Sequence, residues 1–292
     1  PKLSLRWQAT DWLAFRGSAG TTFRGPTPLN KSLRATGLQG VSAAGGAFKA
    51  IDNRGDPSLQ PETADTMSLG AILQFERFEA IVDYWNYKFE DQITTVPYDS
   101  IGNAVGNGPG NGGQLANCSH PLRDLVVFSN NNTCEQGVTL GGDIQRISTF
   151  VINGSPVEIS GFDIGLKYDF GDVFNGQLTA GFDTTLITKY DVEGLNWRGV
   201  QVFTDYDAKG FANQKRFPGM ISEMRAIANL NYSYGPVNAR YEVRYVEGVT
   251  DDRGPTVTRD AAGAVVPVTF GVKVDDYYLH NLHFNWNAPW DT

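Results

Sequence analysis

The chain has 292 residues, with 24 Lys and Arg against 32 Asp and Glu, and a formal net charge of -8. This acidic balance argues against nucleic-acid binding, which requires basic surface to displace counterions from phosphate. Only 19% of the residues are charged, whereas 12% are aromatic and 33 are glycine. That composition is typical of an all-β protein with many turns. No apolar run of about 18 residues predicts a transmembrane helix, and no signal peptide opens the chain.

Apolar and polar residues alternate along nine segments, which predicts nine β-strands because successive side chains of a strand point to opposite faces. Segment 178–186 is the clearest example, with Leu178, Phe182 and Leu186 on one face and Asp183 on the other. The fourth predicted strand has apolar residues on both faces, and the fifth is interrupted at 153–156. The predicted strands cover about 2–8, 12–24, 63–75, 79–93, 146–170, 176–190, 221–234, 237–247 and 276–287.

The connections between the predicted strands alternate between short and long. Loops longer than about 15 residues are uncommon in compact domains, whereas outer-membrane barrels combine tight periplasmic turns with long extracellular loops. The pattern therefore predicts an antiparallel up-and-down transmembrane β-barrel with its long loops outside the cell. The short connections are 9–11, 76–78, 171–175 and 235–236, and the long ones are about 25–62, 94–145, 191–220 and 248–275.

Aromatic residues and mid-strand charges support the same interpretation. One aromatic set, from Trp7 and Trp12 to Trp286, lies beside the short turns, and a second, from Phe23 to Tyr278, lies nearer the long loops. Two aromatic belts that flank an apolar band mark the two membrane interfaces. Charged residues alternate with the apolar ones, and we expect them to face the lumen; on a soluble sheet they would face solvent. The predicted lumen-facing residues are Arg6, Arg16, Asp163, Lys167, Asp183, Arg240, Glu242 and Arg244.

The two cysteines, Cys118 and Cys134, lie in a stretch rich in Gly, Asn and Ser. The chain has too few Cys and His residues near them to complete a zinc site. A disulfide that closes a surface loop is the favoured interpretation, which implies an oxidising compartment. Two unpaired thiols remain the alternative.

The sequence contains no convincing catalytic or metal-binding set. His280 and His283 share a predicted strand but are three residues apart, so they point to opposite faces. The glycine-rich stretch 102–113 lacks the Lys-Ser/Thr ending of a phosphate-binding loop. We therefore expect no enzyme activity, no cofactor and no metal site.

Four short passages resemble those of TonB-dependent outer-membrane receptors. PKLSLRW at 1–7 with GTTFRGP at 20–26 resembles the family's "PKL…GxxFRxP" passage, and DPSLQPE at 56–62 resembles "NPxLxPE". VDYW at 82–85, followed by QI at 92–93, resembles the next upward strand, and SGFDI at 160–164 resembles the "SGxD/E" start of a later downward strand. These motifs occur in the family's order, and the resemblance covers essentially the whole chain.

The resemblance implies a place in the outer membrane of a Gram-negative bacterium. Family members have a 22-stranded barrel and an N-terminal plug, so this chain would supply about nine strands from the C-terminal part of the barrel, without the plug and the last strands. We therefore expect either an excerpt or an incompletely built chain. Its implied partners are outer-membrane lipid, an imported siderophore-, vitamin- or oligosaccharide-type ligand, and the inner-membrane TonB complex, reached through a plug. A secreted or surface all-β protein that binds glycans is the alternative.

The resemblance also implies that the long loops form a ligand vestibule. We expect an aromatic and basic loop cluster to grip a sugar or a chelate by stacking and bidentate contacts, although packing of the loops on one another would use the same residues. Arg24 and Glu62 match motif positions, and we expect them to have a structural role at the barrel rim. The predicted ligand-binding residues are Trp197, Arg198, Phe203, Tyr206 and Phe217.

Overall fold

The computed structural model describes residues 1–212, 217–251, 256–259, 262, 264–268 and 273–288. Nine long strands form one sheet in which each strand pairs antiparallel with its neighbour in the sequence. This meander confirms the all-β prediction and its up-and-down strand order. The strands are β1 (Lys2–Thr10), β2 (Leu13–Arg24), β3 (Glu62–Phe75), β4 (Phe78–Glu90), β5 (Val157–Val173), β6 (Gly176–Val192), β7 (Met224–Tyr234), β8 (Val237–Val246) and β9 (Tyr277–Trp286).

Tight turns join the strands at one end of the sheet. The turn between β5 and β6 has Phe174 and Asn175 at φ of 51° and 64°, the left-handed pair that a two-residue type I′ hairpin requires. Gly235 has a φ of 53° in the turn between β7 and β8. Because these turns reverse the chain directly, the four long insertions all emerge from the opposite end of the sheet.

The strand register separates the polar and apolar residues onto two faces. Paired residues share a face, and Arg6 lies opposite Arg16, while Asp163 lies opposite Asp83. Following these pairs across β1 to β8 brings the eight charged residues that the sequence predicts to face the lumen onto one face. The other face is apolar and uncovered. Leu69, in the interior of the sheet, is 57% exposed there.

The four insertions contain most of the remaining secondary structure. The first spans 25–61, the second 91–156, the third 193–223 and the fourth 247–276. The residues that are not described fall mainly within the predicted loops 191–220 and 248–275. The insertion elements are α1 (Pro28–Ser32), Arg34–Gly40, Ser42–Ala44, Phe48–Arg54, Ile93–Thr95, α2 (Tyr98–Val105), Arg123–Leu125, Val126–Phe128, Gly141–Asp143, Ile144–Asn153, Leu195–Trp197, Val200–Phe203, Tyr206–Asp207, Val249–Thr250, Thr256–Arg259, Val265–Val268 and Lys273–Val274.

The interruption predicted at 153–156 divides the predicted strand at 146–170 into two elements, and the assignment of the first part to the long sheet is wrong. Its first part is the separate strand Ile144–Asn153, which pairs in parallel with Phe48–Arg54 of the first insertion. The chain then turns at 154–156 and enters β5. Residues 147–152 of this strand are buried or half-buried on both faces, so its place is in the insertions rather than in the long sheet.

The largest buried apolar cluster lies in the insertions, because the long sheet leaves its apolar face uncovered. The first and second insertions share one core around Ile51, Phe128 and Ile147, and Leu195 of the third insertion joins it. We call residues 25–61 and 91–156 together the loop subdomain. Cys118 and Cys134 are bonded within it, which confirms the predicted disulfide.

Candidate functional site

The charged face of the sheet forms two neighbouring depressions. The larger has a volume of about 640 Å³ and is lined by carboxylates of β4, β5 and β6 and by guanidinium groups of β7 and β8. The second, of about 560 Å³, lies beside it toward the tight turns. Both depressions are open to solvent, so this face can accommodate a large polar ligand or a polar protein domain. The charged residues that line the larger depression are Asp83, Asp163, Asp183, Arg225 and Arg244.

Glycines on this face let large neighbouring side chains lie flat against the sheet. A Cβ at Gly70 would overlap Asp83 Oδ1, and one at Gly161 would come within 2.6 Å of the Trp85 ring. The Asp83 carboxylate, which lies over Gly70, forms a salt bridge with the guanidinium of Arg16. The absence of a side chain at these glycines therefore leaves room for Asp83 and Trp85 to lie close to the backbone of the sheet.

The charges on this face are unevenly neutralised. Glu242 accepts hydrogen bonds from Arg240 and Arg244 at 3.1 Å and 2.8 Å. Asp163 accepts one from Thr185 at 2.6 Å. Among the described residues, no Lys or Arg forms an ion pair with Asp163 or Asp183. The carboxylates of Asp163 and Asp183 are therefore open to a cationic group on whatever fills the concavity.

Arg24 and Glu62 meet at the rim where the first insertion leaves and rejoins the sheet. The Arg24 guanidinium binds the Glu62 carboxylate in a bidentate ion pair, with both N–O distances at 2.8 Å. Glu62 also accepts the backbone N–H of Ile93 at 3.0 Å. These contacts fit the structural role that the sequence predicts for both motif residues.

The structure divides the five predicted ligand-binding residues into two groups. Trp197 and Arg198 form the tip of a hairpin in the third insertion and lie against Phe150 of the second. The Arg198 guanidinium lies 5.5 Å from the Phe150 ring centroid and 4.8 Å from that of Trp197. It also forms a salt bridge of 3.0 Å with Asp124.

The other three residues surround a small cavity below this hairpin. Phe203 and Tyr206 contact each other edge to face, with ring centroids 5.6 Å apart, and Tyr206 donates a hydrogen bond to the backbone oxygen of Phe217. The cavity they line has a volume of only about 30 Å³. This is room for about one water molecule, so the three residues leave little space for a ligand between them.

Sequence reasoning missed two residues of the surface around Arg198. Phe150 lies in the strand that was assigned to the long sheet, and Arg54 of the first insertion places its guanidinium 5.9 Å from the Phe150 ring centroid. Arg54, Phe150, Trp197 and Arg198 together define what we call the arginine-aromatic surface. Three different insertions contribute to it, so no local pattern could have revealed it.

The described residues contain no group of three or more His, Cys, Asp and Glu residues placed to hold a metal ion. They also contain no helix long and apolar enough to cross a membrane. In the loop subdomain, burial lowers the pKa of the His120 imidazole. Its Nδ1 accepts the backbone N–H of Leu122 at 3.1 Å, which suits a neutral ring.

A long antiparallel meander with one charged concave face and one uncovered apolar face is typical of a barrel wall. The family model described as "TonB dependent receptor-like, beta-barrel" matches residues 1–292. The chain therefore belongs to the TonB-dependent receptor family, in agreement with the resemblance seen in the sequence. Members of this family are transporters of the outer membrane rather than enzymes.

Solved structures share this fold at low sequence identity. The ferric enterobactin receptor of Pseudomonas aeruginosa aligns with a TM-score of 0.58 and 11% identity over 99% of this chain and 32% of its own. The siderophore receptor PirA of Acinetobacter baumannii aligns with a TM-score of 0.53 and 13% identity over 98% and 34%. The FrpB iron transporter of Neisseria meningitidis aligns with a TM-score of 0.51 and 14% identity over 98% and 32%.

The chain thus spans about a third of the length of each of these three structures. A comparison with curated proteins finds no match.

Proposed function

We propose that this chain is the wall of an outer-membrane receptor that imports a scarce small-molecule ligand, with energy supplied through TonB. The observation that carries the proposal is the division of the long sheet into two faces. An uncovered apolar face suits lipid, and a charged concave face suits a filled or wet lumen. On this proposal the eight charged strand residues face the lumen, and the four insertions stand outside the cell.

The apolar face has the height that a membrane requires. On β3 it runs from Phe75 to Met67, and on β6 from Leu178 to Leu186, nine residues in each case. At about 3.4 Å per residue and a tilt of about 40°, nine residues span roughly 23 Å. This agrees with an apolar band of about 25 Å in outer-membrane barrels.

We propose the arginine-aromatic surface as the ligand contact, with Trp197 and Arg198 as its central residues. Guanidinium groups over aromatic rings offer stacking and charge together, which suits a planar or anionic ligand. Phe203, Tyr206 and Phe217 would support this surface from below. Because the similar structures include receptors for siderophores, ferric enterobactin is the first ligand to test.

The glycan-binding alternative predicts solubility without detergent and one strand face packed as a core. In the part of the chain that the structure describes, the apolar face of the long sheet is not packed as a core. The same experiment tests both hypotheses. The intact gene product is isolated from its native source and run on a gel with and without heating.

For a receptor we expect the protein in the membrane fraction, with an apparent mass far above 32.0 kDa and a band that shifts on heating. A soluble band near 32.0 kDa without a shift would refute the receptor hypothesis and favour the glycan-binding alternative.

Transport itself is tested by uptake of radioactive iron bound to enterobactin in iron-starved cells. We expect uptake to be lost when the gene is deleted and restored by the wild-type gene. Trp197→Ala with Arg198→Ala should raise the KM for uptake at unchanged receptor level. Arg77→Ala, at a tight turn on the opposite end of the sheet, is the matched control and should leave KM unchanged. If deletion leaves uptake of this ligand unaltered, vitamin and oligosaccharide ligands that carry their own radioactive label are tested in the same cells.

A further inference from the structure

The four chain segments that connect the loop subdomain to the long sheet are bonded to one another at the rim. Arg24 is the last residue of β2, Glu62 is the first residue of β3, and Ile93 follows the end of β4. The Glu62 carboxylate bonds to Arg24 and to the Ile93 amide, and its residue is only 8% exposed. One buried carboxylate therefore joins the start and end of the first insertion to the start of the second.

Asn153 completes this set of contacts at the end of the second insertion. Its side-chain Oδ1 accepts the backbone N–H of Gln60 at 2.9 Å. Its Nδ2 donates to the backbone oxygens of Gln60 and Asp91, at 2.9 Å and 2.8 Å. The side chains of Arg24, Glu62 and Asn153 thus tie all four stems together. We call the residues Arg24, Gln60, Glu62, Asp91, Ile93 and Asn153 the rim joint.

Above the rim joint the two insertions form one body. Phe48–Arg54 of the first pairs in parallel with Ile144–Asn153 of the second, and both bury side chains in a common core. Ser42 donates its backbone N–H and its hydroxyl to the buried Asp99 carboxylate, both at 2.7 Å. Relative motion of the two insertions would break this core, so any motion of one must carry the other with it.

We propose that the rim joint holds the loop subdomain as a fixed wall at the mouth of the barrel, with Arg24, Glu62 and Asn153 as its positioning residues. The role of the wall in ligand capture rests on the proposed function, whereas its fixed position does not. This extends the structural role of Arg24 and Glu62 to a mechanical role for the FRGP and PSLQPE motifs.

The Glu62 carboxylate has two roles in the rim joint: it forms an ion pair with Arg24, and it accepts the Ile93 amide hydrogen bond. Hydrogen exchange on the intact gene product in native outer-membrane vesicles tests whether these roles are separable. Glu62→Ala should speed exchange of the Ile93 amide about tenfold, the effect of losing one hydrogen bond. Glu62→Gln retains an acceptor oxygen and should have a smaller effect. The exchange of charges, Arg24→Glu with Glu62→Arg, restores opposite charges but no acceptor, so Ile93 should still exchange quickly. Slow exchange at Ile93 in the Glu62→Ala variant would refute the proposal that Glu62 holds this stem in the rim joint.

A distance measurement tests whether the wall is fixed. Non-canonical spin-labelled residues, which spare the disulfide, replace exposed Asn130 in the loop subdomain and exposed Asp11 in a tight turn. Without any ligand, we expect one narrow distance distribution in the otherwise wild-type protein. Glu62→Ala with Asn153→Ala should broaden it, while the heat-shifted gel band shows an intact barrel. Glu242→Gln, at an ion-paired glutamate away from the rim, is the matched control and should leave the distribution narrow.

A broad or bimodal distribution in the otherwise wild-type protein would overturn the proposal, whatever the variants do. An unchanged distribution in the double variant with an intact barrel would also overturn it. Neither readout requires ligand or uptake. A narrow distribution in a protein that fails every uptake assay would therefore count against the proposed function alone.

Discussion

Ile147 offers the sharpest test of the claim that the insertions carry their own core. Its side chain is fully buried, opposite Ile51 on one neighbouring strand and Val126 on the other. Ile147→Ala removes three carbon groups, which cost about 2.4 kcal/mol in transfer free energy alone at about 0.8 each. The remaining cavity raises the expected loss to about 3 to 4 kcal/mol, within the range measured for such substitutions.

The assay is hydrogen exchange of the intact, detergent-solubilised protein, followed on the strands Phe48–Arg54 and Ile144–Asn153. A loss of about 3 kcal/mol should speed exchange through opening of the subdomain at least 100-fold. Ile147→Val removes one methylene group and should cost about 1 kcal/mol. Leu166→Ala, on the apolar face of the long sheet, is the control and should leave exchange in the subdomain unaltered.

Two results would refute this reasoning. One is a change below about tenfold in Ile147→Ala, because that corresponds to less than about 1.4 kcal/mol and would mean that the core is not packed around this side chain. The other is equal acceleration in β5 and β6. The insertions and the barrel wall would then unfold as one unit, and the loop subdomain would have no stability of its own.

Three further predictions concern single features of the structure. Gly70→Val places a side chain where the Asp83 carboxylate lies and should lower the temperature at which the folded gel band changes to the heat-denatured band. Adding Asp83→Ala should restore part of that temperature. No restoration would mean that Asp83 is not what the new side chain meets. Replacing Cys118 and Cys134, which are 16 residues apart, with serine should destabilise the loop subdomain by about 3 kcal/mol on the chain-entropy estimate, seen as faster exchange there with the barrel band retained. Because burial lowers the pKa of folded His120, the unfolded chain binds its proton first, and subdomain stability should fall as pH drops below about 6.5. His120→Gln should reduce that loss in exchange rates measured on both sides of this pH, and an unchanged pH dependence would contradict the assignment.

Local alternation in the sequence determined the long sheet. The period of two depends only on which face each side chain occupies, so Leu178, Phe182 and Leu186 could be assigned to one face and Asp183 to the other without knowledge of neighbouring strands. The same rule separated each of the eight charged strand residues from the apolar residues of its own strand. The alternation of short and long connections likewise indicated the meander. The disulfide followed from having two cysteines in one turn-rich stretch.

Only the tertiary structure decided what the long connections do. The alternation at 146–153 is the same whether the strand joins the barrel wall or an insertion, and its parallel partner Phe48–Arg54 lies about a hundred residues away in the sequence. The arginine-aromatic surface and the rim joint have the same origin, because each combines residues of separate insertions. Glu62 could be recognised as a motif residue, but its bonds to Arg24 and the Ile93 amide exist only once four distant stems of the chain meet at the rim.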